Sequence, residues 1–155
     1  MKKAKRGAAP KGSTMSPTKN EGPGRQVEYS AEQLARLIDH TLLKTEAGLA
    51  AIERLCQEAR EHNFLAVCVN SVFVPDCVRW LKGTHTRVCT VVGFPLGAQP
   101  GTIKAAEAEW ALARGATEID MVLHVGALKS GEDAQVLEDI RGVVGVCRAR
   151  KAHCK

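Results

Sequence analysis

Strand-like and helix-like segments alternate strictly from residue 31 onward, and that alternation limits the possible folds more than any other feature. The apolar runs "LIDHTLL" (37–43), "FLAVCVNS" (64–71), "RVCTVVGF" (87–94) and "TEIDMVLH" (117–124) have strand length and β-branched character. Between them lie amphipathic stretches. In "GLAAIERLCQEAREH" (48–62), Leu49, Ile52, Leu55, Cys56 and Ala59 share one helical face. A helix-compatible stretch follows Pro75. "TIKAAEAEWALARG" (102–115) predicts a helix with Ile103, Ala106, Trp110 and Ala113 inward and Gly115 as its stop. A last helix is expected from Ser130, with Val136, Ile140, Val143, Val144 and Cys147 as its apolar stripe. Ahead of all these, Ser30 and Gln33 have capping-box spacing, which starts a short helix at Ala31. Four strand–helix pairs in this order imply a parallel α/β sheet with right-handed crossovers.

Such a sheet is either doubly wound or part of a barrel, and side-chain parity separates the two. In "TEIDMVLH", Ile119, Met121 and Leu123 share one face and Asp120, Val122 and His124 the other. In "LAVCVN", Ala66, Cys68 and Asn70 lie opposite Leu65, Val67 and Val69. Asp39 and Thr41 fall on one side of the first strand with Leu37 and Leu43. Each of these strands therefore has one face that carries polar groups. A doubly wound sheet, covered by helices on both faces, favours near-continuous apolar runs. A barrel keeps its helices outside and gathers polar groups inside, near the mouth. The expected fold is a partial (β/α)8 barrel of the TIM type, about four β/α units with an N-terminal helix.

Composition bears on partners. The net charge of +5 belongs entirely to the first 28 residues, where Lys2, Lys3, Lys5, Arg6, Lys11, Lys19 and Arg25 face only Glu21 and Glu28. This tail is rich in Gly, Pro, Ser and Lys and has few large apolar residues, so it reads as a disordered basic extension (1–28) preceding a folded region (29–155). It has no interleaved aromatics to stack bases, which disfavours nucleic-acid binding. No run of about 18 apolar residues exists to span a membrane, and the tail lacks the apolar core of a secretory signal. The six cysteines form no C-x-x-C pair and no zinc spacing. Together these features predict a reducing, cytoplasmic setting.

Several generic motifs are missing. "GFPLGAQPG" lacks the ending of a phosphate-cradling P-loop, no G-x-G-x-x-G follows a strand, and neither H-E-x-x-H nor G-x-S-x-G occurs. What remains is a set of inward polar residues: Asp39, Thr41, Cys68, Asn70, Asp120 and His124. Taken singly, a buried polar residue is more often a satisfied core group than a catalyst. Two acids inside one barrel shift that balance, because such a pair needs a cation or a raised pKa. No Lys or Arg is evident on the inward face.

Four motifs, "IDHTLLK" (38–44), "VCVNSVFVP" (67–75), "VVGFPLGA" (91–98) and "GATEIDMVLHVGALKSG" (115–131), closely resemble the deoxyribose-phosphate aldolases, class I Schiff-base aldolases on a (β/α)8 barrel. The resemblance covers about residues 31 to 155. It implies a lyase that reversibly cleaves 2-deoxy-D-ribose 5-phosphate, a small phosphorylated sugar, to D-glyceraldehyde 3-phosphate and acetaldehyde, with no metal or organic cofactor. It implies that Asp120 moves protons as imine and enamine interconvert and that Asp39 contacts a lysine network. It places Thr41 and Cys68 at pocket-lining positions, with Asn70 and His124 as further pocket candidates. The family has Asn at the His124 position, so this chain carries a titratable group there.

In that family the imine-forming lysine and its partner come from the sixth and seventh strands. No lysine here matches the Schiff-base position; Lys44 and Lys129 stand in other contexts, and Lys129 reads as a solvated turn residue. A full barrel takes about 200–250 residues, so the chain reads as the N-terminal half of one, with strands five to eight lacking. The expectations are an inactive chain with open barrel edges near 37–43 and 117–124 that self-associates or aggregates. The alternative is a non-catalytic half-barrel interaction module that pairs with itself or with a full-length relative.

Overall fold

The computed structural model describes residues 28–155. Apart from Glu28, the basic tail lies outside the described residues. The chain then runs α1 (Ala31–Ala35), β1 (Asp39–Leu42), α2 (Leu49–Glu61), β2 (Ala66–Val69), a 3-10 turn (Ser71–Phe73), α3 (Val74–Trp80), β3 (Arg87–Val92), α4 (Gly101–Leu112), β4 (Glu118–Met121), α5 (Val125–Ser130), α6 (Asp133–Ala149) and β5 (His153–Cys154). The capping box forms as expected: Ser30 Oγ accepts from the Gln33 N–H, and Gln33 Oε1 accepts from the Ser30 N–H.

All five strands are parallel and lie in sequence order, β1-β2-β3-β4-β5. One face holds the main core. There Val67, Val69, Val88, Val92 and Ile119 meet Ile52 and Cys56 of α2, Val74 and Cys77 of α3, Ala108 and Ala111 of α4, and Val143 and Cys147 of α6. The other face has a separate, smaller cluster of Ala66, Cys68, Cys89 and Val91 with Leu43 against it, and no helix contributes to it. Sequential order with α2, α3, α4 and α6 packed on one face is the arrangement of a barrel wall, not of a doubly wound sheet.

Four expectations need correction. A fifth strand does begin within the chain: Glu118 pairs with His153 and Ile119 with Cys154, so residues 117–121 of the edge expected at 117–124 are paired. Two residues are too few to leave a periodic signal. In α4 the buried residues are Lys104, Ala108, Ala111 and Leu112, whereas Ile103 and Trp110 are 55% and 39% exposed. Alanines lie all around this helix, so its apolar stripe can be drawn on more than one side; a paired lysine took the inner position. Beyond β4, "HVGALKSG" is not a turn but the short helix α5, stopped by Gly131 in the left-handed conformation. In α6, Asp139 rather than Ile140 or Val144 is among the fully buried residues.

The apolar part of the inner face is closed to solvent. Ala66, Cys68, Cys89 and Val91 are all under 7% exposed, although only part of a barrel surrounds them. Polar side chains of β1, β4 and β5 occupy the same face.

Candidate active site

The strand register builds the inner face in layers. Thr41 stands opposite Cys68, Cys68 opposite Cys89, Cys89 opposite Glu118, and Glu118 opposite His153. The next level toward the strands' C-terminal ends has Val91 opposite Asp120. Because side chains alternate across a strand, Asp39, Thr41, Cys68, Glu118 and Asp120 share this face, and parity had placed four of these five there.

The missing cation is present. Lys155 Nζ contacts Asp39 Oδ2 and lies 3.3 Å from Glu118 Oε2. Arg87 Nη1 donates to the other oxygen of Glu118 at 2.7 Å. Burial works against the Glu118 charge, yet hydrogen bonds from Arg87 and Lys155 outweigh it and hold the carboxyl below its ordinary range. Burial likewise opposes the Lys155 charge, but Asp39 and Glu118 prevail and raise the ammonium well above an ordinary lysine. Lys155 is therefore a locked cation and a poor nucleophile, since only the free amine attacks a carbonyl.

Glu118 was missed in the sequence, although it lies two residues before Asp120 on the same parity. Lys155 carried no local signal, because its partners are far away in sequence. Asp39, Cys89 and Glu118 place one oxygen or sulfur each within 4.8 Å of one another, a spacing that could hold a metal ion. Here the Lys155 ammonium already supplies positive charge to both carboxylates.

Asp120 is half-buried one layer above this cluster. Cys68 and Cys89 sit side by side beneath it. A hydrogen bond with Cys89 draws the Cys68 thiol down, outweighing burial and the charges of Asp120 and Asp39. The same hydrogen bond, with burial, pushes Cys89 up, so at least one thiol keeps its proton. The Thr41 hydroxyl donates to the Asp39 carbonyl oxygen (2.8 Å), and Asn70 Nδ2 donates to the Leu43 carbonyl oxygen (3.4 Å) across the ends of β1 and β2.

His124 does not share the inner face with Asp120. Strand β4 ends at Met121, so period-two alternation no longer governs residue 124. Its imidazole folds back instead and accepts the Ala127 N–H through Nδ1 at 3.0 Å, capping α5. Lys44 and Lys129 are both exposed, Lys129 in the last turn of α5.

Two loops at the C-terminal ends of the strands frame this face, and both rest on one buried ion pair. Lys104 Nζ lies 2.6 Å from Asp139 Oδ2, with side-chain exposures of 0% and 5%. The same oxygen accepts the His124 N–H at 3.0 Å. The loop after β3 lies against the Lys104 stem at Gly93 (φ +71°), where a Cβ would come within 3.0 Å of Cε. Gly97 (φ +64°) passes so near Leu123 that a Cβ would collide with the Leu123 carbonyl oxygen. Only glycine combines that backbone conformation with that close approach.

The sequence and the fold are both similar to those of aldolases. The DeoC/LacD family aldolase profile matches residues 33–152. Deoxyribose-phosphate aldolase of Carboxydothermus hydrogenoformans is 53% identical over 121 residues, 78% of this chain and 53% of its own length. That of Bdellovibrio bacteriovorus is 56% identical over 112 residues, 72% of this chain and 51% of its own. The tetrameric deoxyribose phosphate aldolase of Aeropyrum pernix superposes with a TM-score of 0.74 at 31% identity, over 81% of this chain and 52% of that one. The chain thus spans about half the length of the curated relatives it matches. With the profile covering nearly all of the folded region, and the barrel wall and its inner acids in place, the chain belongs to the DeoC/LacD aldolase family.

Proposed function

We propose that these residues form the acid-bearing half of a deoxyribose-phosphate aldolase active site, and that the imine-forming lysine lies outside the 155 residues. The supporting observation is the inner face itself. It carries Asp120 near the C-terminal ends of the strands and, below it, Asp39 and Glu118 around a lysine held protonated. A class I aldolase needs an unprotonated amine to form the imine and an acid–base group to move protons between imine and enamine. Asp120 fits the second role. Lys155 does not fit the first, because two carboxylates stabilise its charged form. Asp39 then acts on the reaction indirectly, by fixing that cation and the charge balance beneath the pocket. The substrate in this reading is 2-deoxy-D-ribose 5-phosphate, and its phosphate would be held by the half of the barrel that this chain does not supply.

A chimera tests the proposal: residues 29–155 joined to the remaining half of the Carboxydothermus hydrogenoformans enzyme. It should cleave deoxyribose 5-phosphate, and borohydride should trap the adduct on a lysine of the added half. An adduct on Lys44, Lys129 or Lys155 would overturn the assignment.

A further inference from the structure

The link between β4 and α5 is three residues long, and its last residue, His124, ties it to both α6 and α5. His124 donates its backbone N–H to Asp139 Oδ2 on α6 (3.0 Å). Its ring accepts the Ala127 N–H through Nδ1 (3.0 Å), in the first turn of α5. Gly126 leaves room for this, since a Cβ there would stand 3.3 Å from His124 Cε1. The cap carries much of the helix's stability, because α5 is only six residues long and Ala127 is its one fully buried residue. We propose that His124 is a positioning residue that works only while its imidazole is neutral, so that protonation releases the first turn of α5 and the loop at the C-terminal end of β4.

The chemistry follows from the atom used. A ring nitrogen that accepts an N–H must present its lone pair, which places the ring proton on Nε2. An imidazolium carries a proton on both nitrogens and has no acceptor left. Adding the second proton turns the cap into two N–H groups facing each other at a helix start, where unpaired N–H groups already favour negative charge. Glu138 and Asp139 of α6 line the same cavity as His124, Lys104 of α4 pairs with Asp139, and α5 itself carries Lys129 in its last turn. The loss of the cap on protonation follows from the bond itself. Histidine is the side chain that ordinarily changes charge between about pH 5 and 8, and the test scans that range. Its consequence for catalysis rests on the reading of Asp120 given above. The hydrogen bond and its pH dependence do not.

Nitrogen-15 NMR on the 155-residue chain tests this without any turnover assay, so its failure is distinct from failure of the aldolase reading. The ring shifts of His124 report which nitrogen is protonated, and the exchange protection factor of the Ala127 amide reports the cap. At high pH, Nδ1 should be the unprotonated nitrogen. As the ring gains its second proton, Ala127 protection should fall about fivefold or more, the loss typical of a removed N-cap, while Cys56 in α2 keeps its own. His124→Asn should stay protected at both ends of the titration, because an amide cap does not titrate, and His124→Ala should be unprotected at both. Constant Ala127 protection while the ring titrates would overturn the proposal. So would Nε2 as the unprotonated nitrogen at high pH, or a His124→Asn chain that loses protection with the wild-type pH dependence. The wild-type titration and the Asn variant decide the matter even where the Ala variant does not fold.

Discussion

Lys104 and Lys155 each meet an aspartate, yet the two lysine–carboxylate clusters do opposite things. Lys104 and Asp139 lie between α4 and α6, with side-chain exposures of 0% and 5%. Lys155 spans Asp39 and Glu118 on the inner face, with the lysine and Asp39 side chains 29% and 25% exposed. The first pair is sealed from water, so neither member can lose its partner without leaving a buried charge. In the second, Lys155 and Asp39 remain in touch with solvent, while the Glu118 side chain is only 3% exposed. Depth, rather than residue type, separates the two: Lys104 and Asp139 are sealed, whereas Lys155 and Asp39 are not.

The sharpest way to break that contrast is to remove one member from each cluster. Asp139→Ala leaves the Lys104 ammonium buried and unpaired and also frees the His124 N–H. It should cost about 3–5 kcal/mol in urea denaturation. The double variant Lys104→Met/Asp139→Leu should recover much of that loss, because no charge is left stranded. Equal costs for single and double variants would contradict the sealed-pair account.

Glu118→Gln is the milder break. Half-exposed Arg87 is screened by water, so the loss at neutral pH should be about 1–2 kcal/mol. Its diagnostic is the pH dependence. The folded Glu118 carboxyl titrates below its unfolded value, so its contribution is present above the unfolded pKa, about 4.3. That contribution is lost as pH falls through the lower folded value. Wild type should therefore lose stability into acid more steeply than Glu118→Gln; parallel acid limbs would refute the pairing. The smallest effect is expected on the outer side of the same helix that carries Lys104. Ile103→Ser, at a 55% exposed position, should change stability by less than about 0.5 kcal/mol.

That last pair of positions marks what was legible in the sequence. The strand–helix alternation, the capping box at Ser30 and the inward parity of Asp39, Thr41, Cys68 and Asp120 were all readable, because each depends on neighbours within a few residues. The inner side of α4 was not. Its alanines leave the helical stripe ambiguous, and the reason to bury Lys104 is Asp139, 35 residues later. Lys155 was hidden for the same reason, with Asp39 lying 116 residues away. His124 was read as a strand residue because alternation continues in the sequence after β4 has ended in space. Local patterns decide local structure; charge pairing across the fold had to be seen.

The most direct measurement of the central claim is kcat of the chimera with Asp120 intact and with Asp120→Asn. If Asp120 moves the proton between enamine and imine, the variant should fold normally and lose about 100-fold or more in kcat, the scale of acid–base catalysis. A folded Asp120→Asn chimera that turns over deoxyribose 5-phosphate at the unsubstituted rate would contradict the account.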